Sequence, residues 1–360
     1  MSGEDTVTSL ASTLKLSKEN FVSNHSGTNL AELCILFAVV PCVTFLLQLH
    51  GSPCQPGLLC PVSQSACIVL PTVLAVVSNN LIWAWLLIVL VLVSVSVGWS
   101  SLPHTVAITR SLQHLAEQPT KSYITSVRGT TLLCTAICIL AVDFHAFPRR
   151  FCKAEKFGQG LMDIGVGAFV FSSGISSRPA PLTRPYKGIV RNLERNGVLL
   201  ILGLIRLCSV KTLEYQEHAS EYGVHWNFFL TVAAVSTVMA LVPIPRSHAI
   251  EAGSVVLVGH QLALNCGLME VIHADVRGPQ LWHLNKEGLL SLPGYWALSL
   301  LSVGLSSYLH PEYGRPDQEG AQVSDRYVWL WFRKLLAIIA LLWAALSGAL
   351  QWVQPVSKVL

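Results

Sequence analysis

Asp143 lies near the end of an apolar run, Ile139-Leu140-Ala141-Val142, and Lys153 follows ten positions later. An ionisable group at bilayer depth costs on the order of 2.5–3.5 kcal/mol, so it needs a partner or a purpose. In one continuous helix the two would stand about 15 Å apart along the axis and on different faces. Pro148 lies between them and breaks or kinks such a helix. A chain that turns there can fold Lys153 back toward Asp143. A carboxylate within reach of an alcohol acts as a general base, worth roughly 10²–10⁴ in rate. A neighbouring ammonium steadies charge growing on a carbonyl oxygen, or holds the carboxylate ionised and aimed. Spacing alone leaves open a structural ion pair at a membrane boundary.

Between the two, Arg149 and Arg150 read either as snorkelling interfacial residues or as a phosphate grip for a coenzyme or phospholipid. Asp163 sits in the next apolar run and again demands a partner, and it counts with Arg149 and Arg150 as a candidate substrate-binding residue. Gly158, Gly160, Gly165, Gly167 and Gly174 line that run. Small residues let membrane helices approach closely; a groove admitting an acyl chain is the alternative.

The elements that must position these residues are apolar helices. Of 360 residues, 52% are hydrophobic and 12% charged, and the mean hydropathy is +0.53. A soluble domain carries roughly twice that share of charge. A bilayer core needs about 20 apolar residues per spanning helix, and helices are the sensible way to satisfy the backbone in lipid. The composition therefore predicts an all-α, polytopic transmembrane helical bundle with about ten spans. The candidates are Leu30–Leu49, Pro61–Val77, Leu81–Trp99, Gly129–Phe147, Gly158–Ser176, Asn196–Ser209, Val224–Ile244, Ala249–Leu268, Leu289–Leu309 and Tyr327–Trp352. The expected organisation is a polar lumenal N-terminus over 1–29, a single multi-pass membrane domain over 30–352, and a short tail over 353–360. A mild excess of Lys and Arg in alternate loops puts the N-terminus in the lumen, and the sequon at Asn24 fits that side. The ten Cys show no zinc spacing, and no metal is expected. The scattered net charge of +4 gives no nucleic-acid footprint.

Several long strings then carry a resemblance. ILAVDF-x-x-FPRRF-x-K-x-E runs from Ile139 to Glu155, and LMDIGVGAFVFSSGI from Leu161 to Ile175. YQEHASEYGVHWNFF runs from Tyr215 to Phe229, LNKEGLLSLPGY from Leu284 to Tyr295, and FVSNHSGT from Phe21 to Thr28. In order and length they resemble the GPI inositol acyltransferases, the class W family of phosphatidylinositol-glycan biosynthesis. The resemblance implies transfer of a long acyl group, usually palmitoyl, from acyl-CoA to the inositol 2-hydroxyl of glucosaminyl-phosphatidylinositol. It implies a multi-pass protein of the endoplasmic reticulum membrane, with acyl-CoA as co-substrate and no tightly bound cofactor. It maps the family's catalytic Asp and Lys onto Asp143 and Lys153, with the motif intact.

Gln216, Glu217, His218, His225, Trp226 and Asn227 crowd the start of the seventh candidate helix. Such a cluster alone reads as a hydrogen-bonded cap and interfacial belt. The resemblance makes it a candidate grip for the glycolipid headgroup, with Asn285 and Glu287 as further candidates for sugar hydroxyls. Glu214, Lys286 and His145 depart from the residues usual in the family. Members also look longer, so this chain is expected to be a C-terminally shortened one. The competing readings are an inactive shortened isoform and a polytopic glycolipid transporter. A His-x4-Asp arrangement, expected of a different membrane acyltransferase class, is not found beside Asp143.

Overall fold

The computed structural model describes residues 27–49, 59–77, 121–154, 158–176, 185–212, 222–274 and 276–309, with Thr13, Ser17, Asn20, Phe21 and His25. The candidate spans Leu81–Trp99 and Tyr327–Trp352 lie outside the described residues. What is described is helical, and among the described residues no β-strand is present. In chain order the longer helices are α1 (Leu30–Leu49), α2 (Leu59–Val77), α3 (Lys121–Ala141), α4 (Ile164–Ser176), α5 (Pro185–Thr212), α6 (Phe228–Leu241) and α7 (Ala249–Ala263). Three short helices follow, α8 (Met269–His273), α9 (Leu281–Leu284) and α10 (Lys286–Leu290), before α11 (Leu292–Leu309).

Helix α11 is the hub, packing on α7 and α4 and touching α6. Glycine makes both main contacts possible. A Cβ at Gly174 would come within 1.8 Å of Ser302 Oγ, and one at Gly304 within 2.4 Å of Ile250 Cγ1. Helix α3 joins α4 to α1 and α2. Helices α5 and α6 pair through amides, Asn196 Nδ2 donating to Ala233 O at 3.1 Å and to Thr237 Oγ1 at 2.9 Å. The interior holds Asn196, Thr231, Ser299, Ser302 and Ser306, all buried. The outside carries large apolar side chains: Val198, Ile201, Leu204 and Ile205 on α5, Val255, Val258 and Leu262 on α7. Small polar groups inside and apolar bulk outside reverse the pattern water selects, and suit lipid as the solvent.

Two helical stretches, Arg246–His273 and Lys286–Ser307, are long and apolar enough to cross a membrane by length and composition. The count of ten spans is not reached among the described residues. Several expected boundaries also move. The span Gly129–Phe147 is instead α3, ending at Ala141, because the chain leaves the helix in tight turns at Val142, six residues before Pro148. The span Gly158–Ser176 is shortened to α4, since Gly158 takes φ +111° and Gly160 abuts Cys152 O; both serve the preceding loop. The short span Asn196–Ser209 becomes the 28-residue α5, whose charged first turns extend the helix beyond the apolar run. Past Ala263 the stretch Arg246–His273 kinks within Leu264–Leu268, at Gly267, where φ is +112°.

Candidate active site

Between α3 and α4 the described residues 142–154 and 158–163 are closely tied to one another. Pro148 is extended, with φ −60° and ψ 123°, and a single 3₁₀ turn, Arg149–Phe151, follows. Phe147 and Phe151 are each 1% exposed, and Cys152 and Leu161 are buried with them against Leu33, Leu36 and Val39 of α1, Val76 of α2 and Cys138 of α3. Burying a Phe fully is worth about 1.5–3 kcal/mol, so these side chains fasten the turn to the bundle. Burial pushes the Cys152 thiol above its ordinary range, with the Arg149 charge acting the other way.

Three polar ties fix the backbone. Arg149 wraps its own turn, donating to the carbonyls of Phe147 at 3.0 Å, Val142 at 3.0 Å and Phe144 at 2.8 Å. Its guanidinium also stacks 4.1 Å over the Phe21 ring. Arg150 forks onto Glu32 of α1, with Nε–Oε1 3.0 Å and Nη2–Oε1 2.7 Å. Asp163 Oδ2 accepts the backbone N–H of Gly160 at 2.7 Å and of Ala154 at 3.1 Å. A carboxylate on two main-chain donors is a strong, charge-assisted cap. Asp143 stands exposed near the start of this turn, next to exposed Phe144; Lys153 is half-buried on the far side of the 3₁₀ turn. The structure thus brings Asp143, Arg149, Arg150, Lys153 and Asp163 into one turn. It binds Arg149, Arg150 and Asp163 to protein groups, where the sequence reading also considered phosphate and substrate.

A second cluster joins the start of α6 to α9 and α10. Gly223, at φ +95°, brings the chain against Asn285, and Val224 N donates to Leu284 O at 2.9 Å. Asn285 Oδ1 accepts from His225 N at 2.7 Å while its Nδ2 donates to Leu281 O at 2.8 Å. Trp226 lies over Gly288, where a Cβ would come within 2.3 Å of its ring, and its Nε1 donates to Thr231 Oγ1 at 2.9 Å. Asn227 caps α6 by accepting from Leu230 N at 3.2 Å and reaches Gly203 O of α5 at 2.9 Å. Glu287 is 5% exposed and pairs in a fork with Arg277, at 2.7 and 3.1 Å. Lys286 is 2% exposed and donates to Val271 O at 2.8 Å and to Ala274 O, closing the end of α8. His225, Trp226, Asn227, Asn285 and Glu287 therefore do converge. Gln216, Glu217, His218 and Asn24 lie outside the described residues.

Sequence reading did not single out Glu32, Phe21 or Arg277. Glu32 carried a usable signal, an acid in the first turn of an apolar helix, which requires a partner. Phe21 stood out only as the first residue of the FVSNHSGT string, and Arg277 carried no signal.

The GWT1 family model matches residues 14–360. The chain belongs to the GWT1 family. Among curated GWT1 relatives, GPI-anchored wall transfer protein 1 of Emericella nidulans is 33% identical over 347 residues, covering 87% of this chain and 72% of its own. The protein of that name in Saccharomyces cerevisiae is 43% identical over 202 residues, covering 52% of this chain and 41% of its own. An uncharacterised Arabidopsis thaliana protein is 41% identical over 214 residues, covering 59% of this chain and 49% of its own. The chain spans about half the length of that last relative. The GWT1 family is the one that the motif strings resemble.

Proposed function

We propose that this chain is an O-acyltransferase of GPI-anchor biosynthesis, moving a palmitoyl-type group from acyl-CoA to the inositol 2-hydroxyl of glucosaminyl-phosphatidylinositol. We place it in the endoplasmic reticulum membrane as a single multi-pass bundle of about ten helices. Asp143 takes the proton from the inositol hydroxyl, and the freed oxygen attacks the thioester carbonyl. Lys153 steadies the oxyanion or aims Asp143. The carbon–sulfur bond then breaks, and coenzyme A leaves as the thiolate, which takes up a proton. Membership of a family with GPI-named relatives supports the pathway.

One observation carries the choice of base. Among the described residues of the turn the acids are Asp143 and Asp163, and the Asp163 carboxylate is committed to backbone N–H groups. Asp143 is exposed on a segment whose shape is fixed by the ties around it. A general base needs that combination of access and fixed aim. The second cluster, around His225 and Asn285, is proposed to receive the sugar headgroup.

The test is Asp143→Asn in the 360-residue chain, expressed in cells lacking inositol acylation, with labelled acyl-CoA and normal protein levels verified. Acylation is expected to fall by roughly 10²–10⁴. Wild-type turnover in the variant refutes the role. Glycolipid movement without acyl transfer by the parent chain favours a transporter, and neither activity favours a non-catalytic form.

A further inference from the structure

Phe21, Gly27 and Thr28 precede α1, whose Glu32 lies 118 positions before its partner Arg150. Nothing in the proposed chemistry uses these residues, yet they meet the turn at four places. Thr28 N donates to Gln159 O at 2.7 Å, and Gly27 pairs with Gln159 as an isolated parallel bridge. A Cβ at Gly27 would stand 2.3 Å from Gln159 O, so the two backbones touch. Phe21 lies under the Arg149 guanidinium and meets the His145 ring edge-on, at 4.6 Å between centroids. Thr28 Oγ1 donates to Glu32, whose carboxylate also takes the Arg150 fork. Glu32 is thus the group that both sides share.

We propose that Glu32 is a positioning residue for acyl transfer, clamping the Asp143–Lys153 turn to Phe21, Gly27 and Thr28 through Arg150. This rests on the acyltransferase reading above. A guanidinium held by both oxygens of one carboxylate is fixed in plane as well as distance, which a single charge does not achieve. Arg150 is flanked by Arg149 and Phe151, the first bonded to the carbonyls beside Asp143 and the second plugged into the core. Releasing Arg150 frees the strip of backbone that carries both reacting groups. A misplacement of about 1 Å at such a site costs on the order of a hundredfold in rate.

The experiment uses the full chain in membranes and compares Glu32→Ala, Phe21→Ala and the swap Glu32→Arg with Arg150→Glu. Acylation kinetics are normalised to folded protein, and maleimide labelling of Cys152 is resolved by peptide mass. Glu32→Ala is expected to lower kcat about a hundredfold, leave both KM values within about twofold and speed Cys152 labelling. The swap restores kcat and protection. Phe21→Ala moves both readouts the same way to a smaller degree, and decides the matter where Glu32→Ala does not fold. Parent-like kcat in a single variant, a change in KM alone, or a loss following protein amount alone overturns the clamp. Normal turnover in Asp143→Asn refutes the reaction scheme; an inactive Asp143→Asn beside an unaffected Glu32→Ala refutes only the clamp. If the parent chain shows no acylation, unchanged Cys152 labelling in Glu32→Ala still overturns it.

Discussion

Removing the Asp163 carboxylate separates two roles that the sequence allowed it. In the structure one oxygen accepts two backbone donors, Gly160 N at 2.7 Å and Ala154 N at 3.1 Å. Both residues are buried, so water does not readily replace the lost acceptor. A buried donor left unsatisfied costs about 1–3 kcal/mol. Two donors therefore put Asp163→Ala at about 2–5 kcal/mol, the upper end trimmed because the loop relaxes. Asp163→Asn keeps an oxygen in place and loses only the charge assistance, about 1 kcal/mol. The loss falls on local opening of the turn before global unfolding. Cys152, buried at its centre, reports that opening by thiol labelling. Each 1.4 kcal/mol is about tenfold in the opening constant. The Ala variant should then label about 30- to 4,000-fold faster than the parent, and the Asn variant about fivefold faster. If Asp163 instead grips substrate, labelling is unchanged in both variants while KM for the glycolipid rises. Parent-like labelling in Asp163→Ala refutes the capping account.

Lys286→Met removes the buried donor to the carbonyls of Val271 and Ala274; both residues are exposed, so solvent re-bonds them and the loss is expected to be about 0.5–1.5 kcal/mol, read by thermal unfolding in detergent. Gly174→Val drives a side chain into Ser302 Oγ and should cost about 1–3 kcal/mol or more by the same measurement. Adding Ser302→Gly recovers part of that loss if direct contact is the cause. Glu287→Gln weakens the fork to Arg277 and is expected to lower the melting temperature while leaving the Cys152 labelling rate unchanged, because the two clusters are tied down separately.

The helices were legible because long apolar runs have few ways to satisfy their backbone in lipid. Pro148 lies in the connection between Asp143 and Lys153, but the helix it was expected to break already ends at Ala141. The length of the connection was not legible. Hydropathy continues smoothly from Ile139 to Val142 and resumes at Leu161, so the reading ran helices into residues that Arg149 and Asp163 hold as loop. Charge misled in the opposite direction on α5, where Arg191, Glu194 and Arg195 ended the apolar run without ending the helix. Residue type showed that Arg149, Arg150 and Glu287 needed anionic or polar company. It did not show that this company was the Val142 and Phe144 carbonyls, Glu32 and Arg277. Those partners depend on where long side chains reach after folding, and no local spacing encodes that.

The break at Gly267 has an effect on how the surface of this stretch is numbered. A regular helix advances by about 100° per residue, and a residue at φ +112° interrupts that progression, so the count starts afresh beyond it. Positions 249–263 and 269–273 consequently follow two different phases. A tryptophan or spin-label walk along this stretch should display a regular beat up to Ala263, then a jump, then the beat again out of step. Substitutions chosen by extending one phase across Gly267 will land on the wrong side of the helix.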